Sequence, residues 1–183
     1  MKILVVAAAC LVASVSSSVL RIKGLTDCGG GGAPIKFSGE ILTQTAPVVG
    51  RMFMDLTTTT LIDATVEANL TMRKVTTRVI DNYEVPCLNG ISGSCTVDFC
   101  SALTTYPEAV CTLFPADVPC SCPLAAAVYT NPAAYVTFTS EWLAIEGGVN
   151  GDYSTRTEII SNLGAPQEAL LGCLLLEYAL VAV

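Results

Sequence analysis

The chain reads as an all-β sandwich or cup, and three observations predict it. Apolar and polar residues alternate with a period of two in several short runs bounded by turn residues. Six of the nine cysteines fall between Val85 and Pro123, among prolines and glycines, which suits a stapled, loop-rich segment. No internal repeat, low-complexity tract or long linker divides the 183 residues, so one domain over residues 19–183 is expected.

The first element is a leader. Met1–Lys2, an apolar run from Ile3 to Val15 and the small residues Ser16–Ser17–Ser18 have the form of a signal peptide over residues 1–18. A spanning helix needs about 20 apolar residues, and this run stops short. Cleavage near Val19 removes Cys10 and leaves an even set of eight cysteines, expected to be oxidised in a secreted or lumenal protein.

Asp27-Cys28 and the glycines at 29–32 form a flexible lead-in. Ile35, Phe37 and Ile41 then share one parity, and Met52, Met54 and Leu56 form a second strand with Arg51 and Asp55 opposite. Thr57–Thr60 surrounds a turn. The clearest strand is Ala64–Lys74, with Val66, Ala68, Leu70 and Met72 on one face and Thr65, Glu67, Asn69, Thr71 and Arg73 on the other. Asn69-Leu70-Thr71 is the chain's glycosylation sequon, and its asparagine has the polar parity. Thr76–Val85 continues as strand until Pro86.

Within the cysteine block, Thr96–Thr104 is expected to be a short helix capped by Ser94, with Val97, Cys100, Ala102 and Leu103 inward. Tyr135–Thr139 and Tyr153–Ile160 are strands, separated by a glycine-rich loop over Glu146–Asp152. Ser161–Gln167 turns, and Leu170–Ala182 closes the domain. The apolar run Ala169–Val183 also has the length of a removable lipid-anchor tail. Discarding it would leave seven mature cysteines, so a buried final strand is the better reading.

Composition excludes several kinds of chemistry. With no histidine, Ser-His-Asp, Cys-His and HExxH machinery are absent. The cysteine gaps of 8, 5, 11, 9 and 2 do not form paired zinc ligands, so no metal site is expected. Gly29–Gly32 lacks the context of a phosphate loop, and no spacing nominates a catalytic carboxylate pair. The protein is expected not to be an enzyme and to need no cofactor. Loss of Lys2 takes the balance of 9 basic and 16 acidic side chains from −7 to −8. Seven of the remaining basic residues lie between Arg21 and Arg78, and this acidic chain is a poor nucleic-acid binder. In an acidic compartment its carboxylates approach their pKa of about 4, which weakens repulsion from anionic lipid. The apolar excess fits either a filled core or a β-cup lining a lipid cavity.

Eight cysteines allow 105 pairings, and their spacing does not choose among them. The block does carry a resemblance. Pro86-Cys87, Gly93-Ser94-Cys95-Thr96, Phe99-Cys100, Pro119-Cys120-Ser121-Cys122-Pro123, Trp142-Leu143, Gly151-Asp152-Tyr153 and Leu171-Gly172-Cys173 resemble the ganglioside GM2 activator group of the MD-2-related lipid-recognition family. The likeness spans the mature chain. It implies an antiparallel β-cup of about eight strands around an apolar lipid cavity, with a short helix in the Cys-rich segment. It also implies four disulfides: Cys28–Cys173, Cys87–Cys95, Cys100–Cys122 and Cys111–Cys120.

By the same resemblance the protein extracts a sphingolipid, such as a ganglioside, from a membrane and presents it to a lysosomal glycosidase of the β-hexosaminidase kind. Trp142, Leu143 and Ile145 are the expected membrane-facing rim, an amphipathic indole being suited to the lipid–water boundary. Leu70, Met72, Leu113, Phe114, Tyr135, Val136 and Phe138 are candidate cup-lining residues. Two departures stand out: Asp81-Asn82-Tyr83 is polar where the family has an apolar loop, and the loop after Trp142 is longer. They favour a second reading, a secreted carrier of a sterol, fatty acid, pheromone or microbial lipid. A third is a stapled extracellular domain with a filled core and no ligand.

Overall fold

A computed structural model describes residues 18–45, 49–75, 83–87, 90, 93–105, 107, 111, 114–131, 136–137 and 151–182. Several expectations lie outside these residues: the leader up to residue 17, the strand over 76–82, Leu113, Tyr135, Phe138, and residues 138–150 with Trp142, Leu143 and Ile145.

The fold is all-β, with two antiparallel sheets and one short helix among the described residues. In chain order the elements are β1 (Ser18–Asp27), β2 (Ile35–Thr45), β3 (Val49–Thr58), β4 (Val66–Val75), β5 (Tyr83–Glu84), β6 (Thr96–Asp98), α1 (Phe99–Thr105), β7 (Ala127–Tyr129), β8 (Val136–Thr137), β9 (Gly151–Ser161) and β10 (Ala169–Ala182). The first sheet runs β1-β10-β9-β4-β5, with β6 also on β4, and the second runs β2-β3-β7, with β8 also on β3. Ten strands are present among the described residues, and two of them, β5 and β8, are two-residue fragments, which is in keeping with the expected eight or so.

Strand β1 was not expected, and a bulge explains why. Its pairing with β10 slips between Ile22 and Gly24, so Ile22 and Leu25, of opposite parity, both turn to the interior. The Gly29–Gly32 lead-in is not a loose tether. Asp27 accepts hydrogen bonds from the N–H of Gly29 and of Phe37, each at 2.9 Å, and so joins the end of β1 to β2 in the other sheet.

The helix begins three residues later than expected. Thr96–Asp98 pairs with β4 at Glu67–Asn69, and Asp98, not Ser94, caps α1 by accepting from the Ser101 N–H. Ser94 instead grips the middle of β4: its hydroxyl accepts from the Met72 N–H at 3.1 Å and donates to the Met72 carbonyl at 3.3 Å. The Val85 N–H donates to the same carbonyl, and the Leu70 N–H donates to the Cys95 carbonyl. The edge of β4 is therefore covered along most of its length.

All four disulfides are present: Cys28–Cys173, Cys87–Cys95, Cys100–Cys122 and Cys111–Cys120, with Cα–Cα distances of 4.8, 4.9, 5.5 and 5.5 Å. They place the folded chain in an oxidising, extracellular or lumenal compartment. Among the described residues, no helix is long and apolar enough to cross a membrane. Cys28–Cys173 spans 145 residues and ties β1 to β10. In the chain-entropy model so long a closure is worth about 5 kcal/mol.

The buried residues form two clusters. One lies at the disulfide pole and holds Ile35, Leu56, Ile62, Val66, Ala68, Leu103, Phe114, Leu124, Tyr129 and Ile159. Ile62 and Leu124 exchange reciprocal backbone hydrogen bonds there. The other holds Ile22, Met72, Val85, Tyr153, Tyr178 and Leu180, towards the opposite pole. The sheets approach closely at Gly172, where an added Cβ would lie 2.8 Å from Ile35 Cβ and 3.0 Å from its carbonyl oxygen. Gly172→Ala is expected to lower stability by about 1–3 kcal/mol, measured by urea unfolding with the disulfides intact.

Asp63 starts the turn into β4. It accepts from the Thr65 hydroxyl at 2.6 Å and from the Thr65 N–H at 2.9 Å. These bonds, the hydroxyl's first, hold its carboxyl below the ordinary 3.8. The group favours the folded state above the unfolded pKa, and this contribution is lost as pH falls through the lower folded value. Thr65→Val is expected to move the Asp63 midpoint back up in an NMR titration.

Candidate functional site

The candidate site is the inner face of the first sheet, which ladder register and strand parity define. One row across it reads Ile22, Tyr178, Tyr153, Lys74; the next reads Leu25, Leu176, Thr155, Met72; the third reads Asp27, Leu174, Thr157, Leu70. Successive rows lie roughly 7 Å apart along the strands. The first row is largely sealed: Ile22, Tyr178 and Tyr153 are buried, and the two tyrosine rings stack at 5.5 Å and 12°. Lys74 Nζ lies 5.9 Å from the centroid of the Tyr153 ring.

The next two rows are apolar but not sealed. Met72 is buried, whereas Leu25, Leu70, Leu174, Leu176, Thr155 and Thr157 are half-buried. Leu70 packs on the disulfide-pole cluster, and Leu25 and Leu176 pack on the other. Leu174, Thr155 and Thr157 belong to neither. The two clusters thus meet along these rows, with half-buried leucines on both sides of Leu174 and the two threonines. The described residues display this face as a wall and do not enclose it as a cavity. One polar atom in it stands out: the Thr155 hydroxyl is buried and has no hydrogen-bond partner.

Of the residues nominated from sequence, Leu70 and Met72 lie on this wall. Phe114 is placed elsewhere, fully in the disulfide-pole cluster, with its ring 5.0 Å from that of Tyr129 and its carbonyl accepting from Asn131. The backbone of Val136 pairs with Met52 in the second sheet. Leu113, Tyr135, Phe138, Trp142, Leu143 and Ile145 are outside the described residues. Leu25, Leu174, Leu176, Thr155 and Thr157 were missed. The period-two pattern of Tyr153–Ile160 could have nominated Thr155 and Thr157, but Leu25 needed the β1 bulge to be known.

The outer face is different in kind. A depression of about 380 Å³ there is lined by Thr71, Arg73, Ser154, Arg156, Glu158 and Leu175. Arg156 donates through Nε and Nη2 to one Glu158 oxygen at 2.9 and 2.7 Å, and Arg73 lies 3.9 Å from Glu84. Asn69 of the sequon is on this face, where its side-chain oxygen accepts from the Thr96 hydroxyl at 3.2 Å. Exposed ion pairs of this kind contribute little stability, about 0–1 kcal/mol each. Among the described residues no cluster of His, Cys, Asp or Glu is arranged to hold a metal ion.

Fold and wall together define a disulfide-stapled, two-sheet antiparallel β protein with an apolar inner face and a polar outer one. The chain matches no protein-family model and no curated protein.

If the wall is open rather than filled, truncation should be tolerated there and not in the core. Leu174→Ala is expected to cost less than about 1.5 kcal/mol, and Leu103→Ala, whose side chain is fully buried, about 2–5 kcal/mol. Urea unfolding of the two variants compares them directly, and equal losses would mean that Leu174 is filled core.

Proposed function

We propose that the protein is a non-enzymatic glycolipid carrier and activator of the ganglioside GM2 activator kind, acting in a secretory or lysosomal lumen. The observation that carries the reading is the disulfide pairing. Of the 105 possible connectivities, the four bridges are those the resemblance implies. The half-buried aliphatic wall supports it as well, since it offers apolar surface that the two core clusters leave incompletely covered.

The physical task is one of solvation. Each lipid CH₂ transferred from water to an apolar wall is worth about 0.8 kcal/mol, so a carrier needs a continuous aliphatic surface for the chains and an open end for the headgroup. In this reading the chains of a sphingolipid lie along Leu25, Leu70, Leu174 and Leu176. Trp142, Leu143 and Ile145, on the connection from Thr137 of β8 to Gly151 of β9, form the rim that meets the membrane. A glycosidase supplies the catalysis, and the carrier supplies access to a headgroup otherwise held at the bilayer surface. The net negative charge is reduced at lysosomal pH, which eases approach to anionic lipid.

One observation favours the alternative, a carrier for a smaller apolar ligand that does not insert into membranes. The β5 edge at Tyr83–Glu84 is exposed, and its glutamate is paired with Arg73.

The test is extraction from vesicles containing a ganglioside at acidic pH, followed by β-hexosaminidase turnover on the extracted lipid. The activator reading expects lipid to leave the vesicles and turnover to rise with added protein, and Trp142→Ala to reduce extraction. Extraction of sterol or fatty acid without stimulated turnover would favour the smaller-ligand carrier, and no extraction of any lipid would refute both.

A further inference from the structure

We infer that the Thr155 hydroxyl is a recognition group on the inner wall, hydrogen-bonding a neutral hydroxyl or amide within an otherwise aliphatic ligand. The inference rests on the lipid-binding reading above and adds to it the residue and the ligand chemistry that set selectivity.

The placement is fixed by register. Thr155 lies opposite Met72 on β4 and opposite Leu176 on β10, with Tyr153 and Thr157 before and after it on the same face of β9. Among the described residues, three other buried or part-buried polar side chains near the core have partners. The Thr58 hydroxyl donates to the Thr60 carbonyl at 2.8 Å, Ser94 bonds both backbone groups of Met72, and Asp27 accepts from two backbone N–H groups. Thr155 Oγ1 is buried without a partner. The other such atom, Asp55 Oδ1, is on the β3 parity opposite the buried Leu56, away from this wall.

A buried hydroxyl with nothing to bond is destabilising, and valine would fill nearly the same volume without that cost. The hydroxyl also sits at the border of the second core cluster, between the buried Met72 and the half-buried Leu176, with the half-buried Leu25 and Leu174 close by on the same face. A ligand laid along Leu25, Leu174 and Leu176 would bring its own polar group to Thr155. The ligand group is neutral because, among the described residues of the wall, the two charged side chains are already engaged. Asp27 accepts from the Gly29 and Phe37 N–H groups. The cation nearest in the ladder, Lys74, belongs to the next row and extends over the Tyr153 ring. A carboxylate at Thr155 would be a desolvated and uncompensated charge. An amide or hydroxyl set between two aliphatic arms, as at the branch point of a ceramide, meets these requirements.

The test uses two fluorescent probes, a labelled ceramide and the purely hydrocarbon diphenylhexatriene, with the disulfide-intact protein and the variants Thr155→Val and Thr155→Ser. The expected result is that T155V binds the ceramide about tenfold more weakly and the hydrocarbon within about twofold of the parent protein, whereas T155S restores ceramide binding. Without lipid, T155V is expected to melt no lower than the parent, since an unsatisfied hydroxyl has been removed. Unchanged ceramide affinity in T155V would overturn the inference and leave the lipid-binding reading intact. Equal weakening of both probes would also overturn it, making Thr155 a packing residue. Binding of neither probe by the parent protein would refute the lipid-binding reading, and the inference with it.

Discussion

The outer edge of β4 must be hydrogen-bonded, and the rest of the molecule is arranged around how that is done. On one side β4 pairs with β9 from Val66 to Val75. On the other, the described residues supply no long strand. Residues 83–98 do the work in pieces: β5 at Arg73–Lys74, then Val85, Ser94 and Cys95 at Leu70–Met72, then β6 at Glu67–Asn69. An exposed edge of this length would invite pairing with a second chain. Cys87–Cys95 closes the covering segment on itself. Gly93 has φ of +85°, and a side chain there would strike the Pro86 carbonyl, so the loop returns to β4 only with glycine at this position. The cysteine block is thus a way of finishing a sheet with non-repetitive backbone.

That solution divides the interior. Three bridges, the helix and the Ile62–Leu124 contact concentrate around one pole, and the cluster there is closed by Phe114, Tyr129 and Leu103. The tyrosine stack and Leu180 close a second, smaller cluster. Where they meet on the first sheet, Leu174 and two threonines are flanked by the half-buried Leu25, Leu70 and Leu176. The outer face of the same sheet carries paired charges and the sequon asparagine, so its two faces differ in polarity. Wholly filled interiors do not leave a row of leucines half-covered and a hydroxyl unbonded, and this contrast motivates a ligand-facing role for the inner wall.

Much of the fold was legible because strict alternation is a direct consequence of strand geometry. Val66, Ala68 and Met72 are buried and Arg73 exposed, as their parity requires. What escaped was where geometry departs from alternation. The extra residue in β1 at Lys23 brings Ile22 and Leu25 to the same side and hides the strand. Thr96-Val97-Asp98 reads as a helix start, but its β-branched residues complete the β4 edge, and Asp98 then caps a helix displaced by three residues. Ala127–Tyr129, at three residues, is too short to show a period of two. The site was less legible than the fold. Phe114 looked like a cup-lining aromatic but packs on Tyr129 within the disulfide-pole cluster. Thr155 is one polar residue in an alternating strand until the register sets it between Leu176 and Met72.

The most direct test of the central claim, that the inner wall of the first sheet holds a lipid, is native mass spectrometry of protein secreted from eukaryotic cells, with any released ligand identified. The account predicts a one-to-one adduct of a lipid bearing a neutral amide or hydroxyl, a ceramide-based glycolipid above all. Protein that emerges empty and takes up no added lipid at acidic pH would contradict it, leaving a stapled β domain whose inner wall serves another purpose.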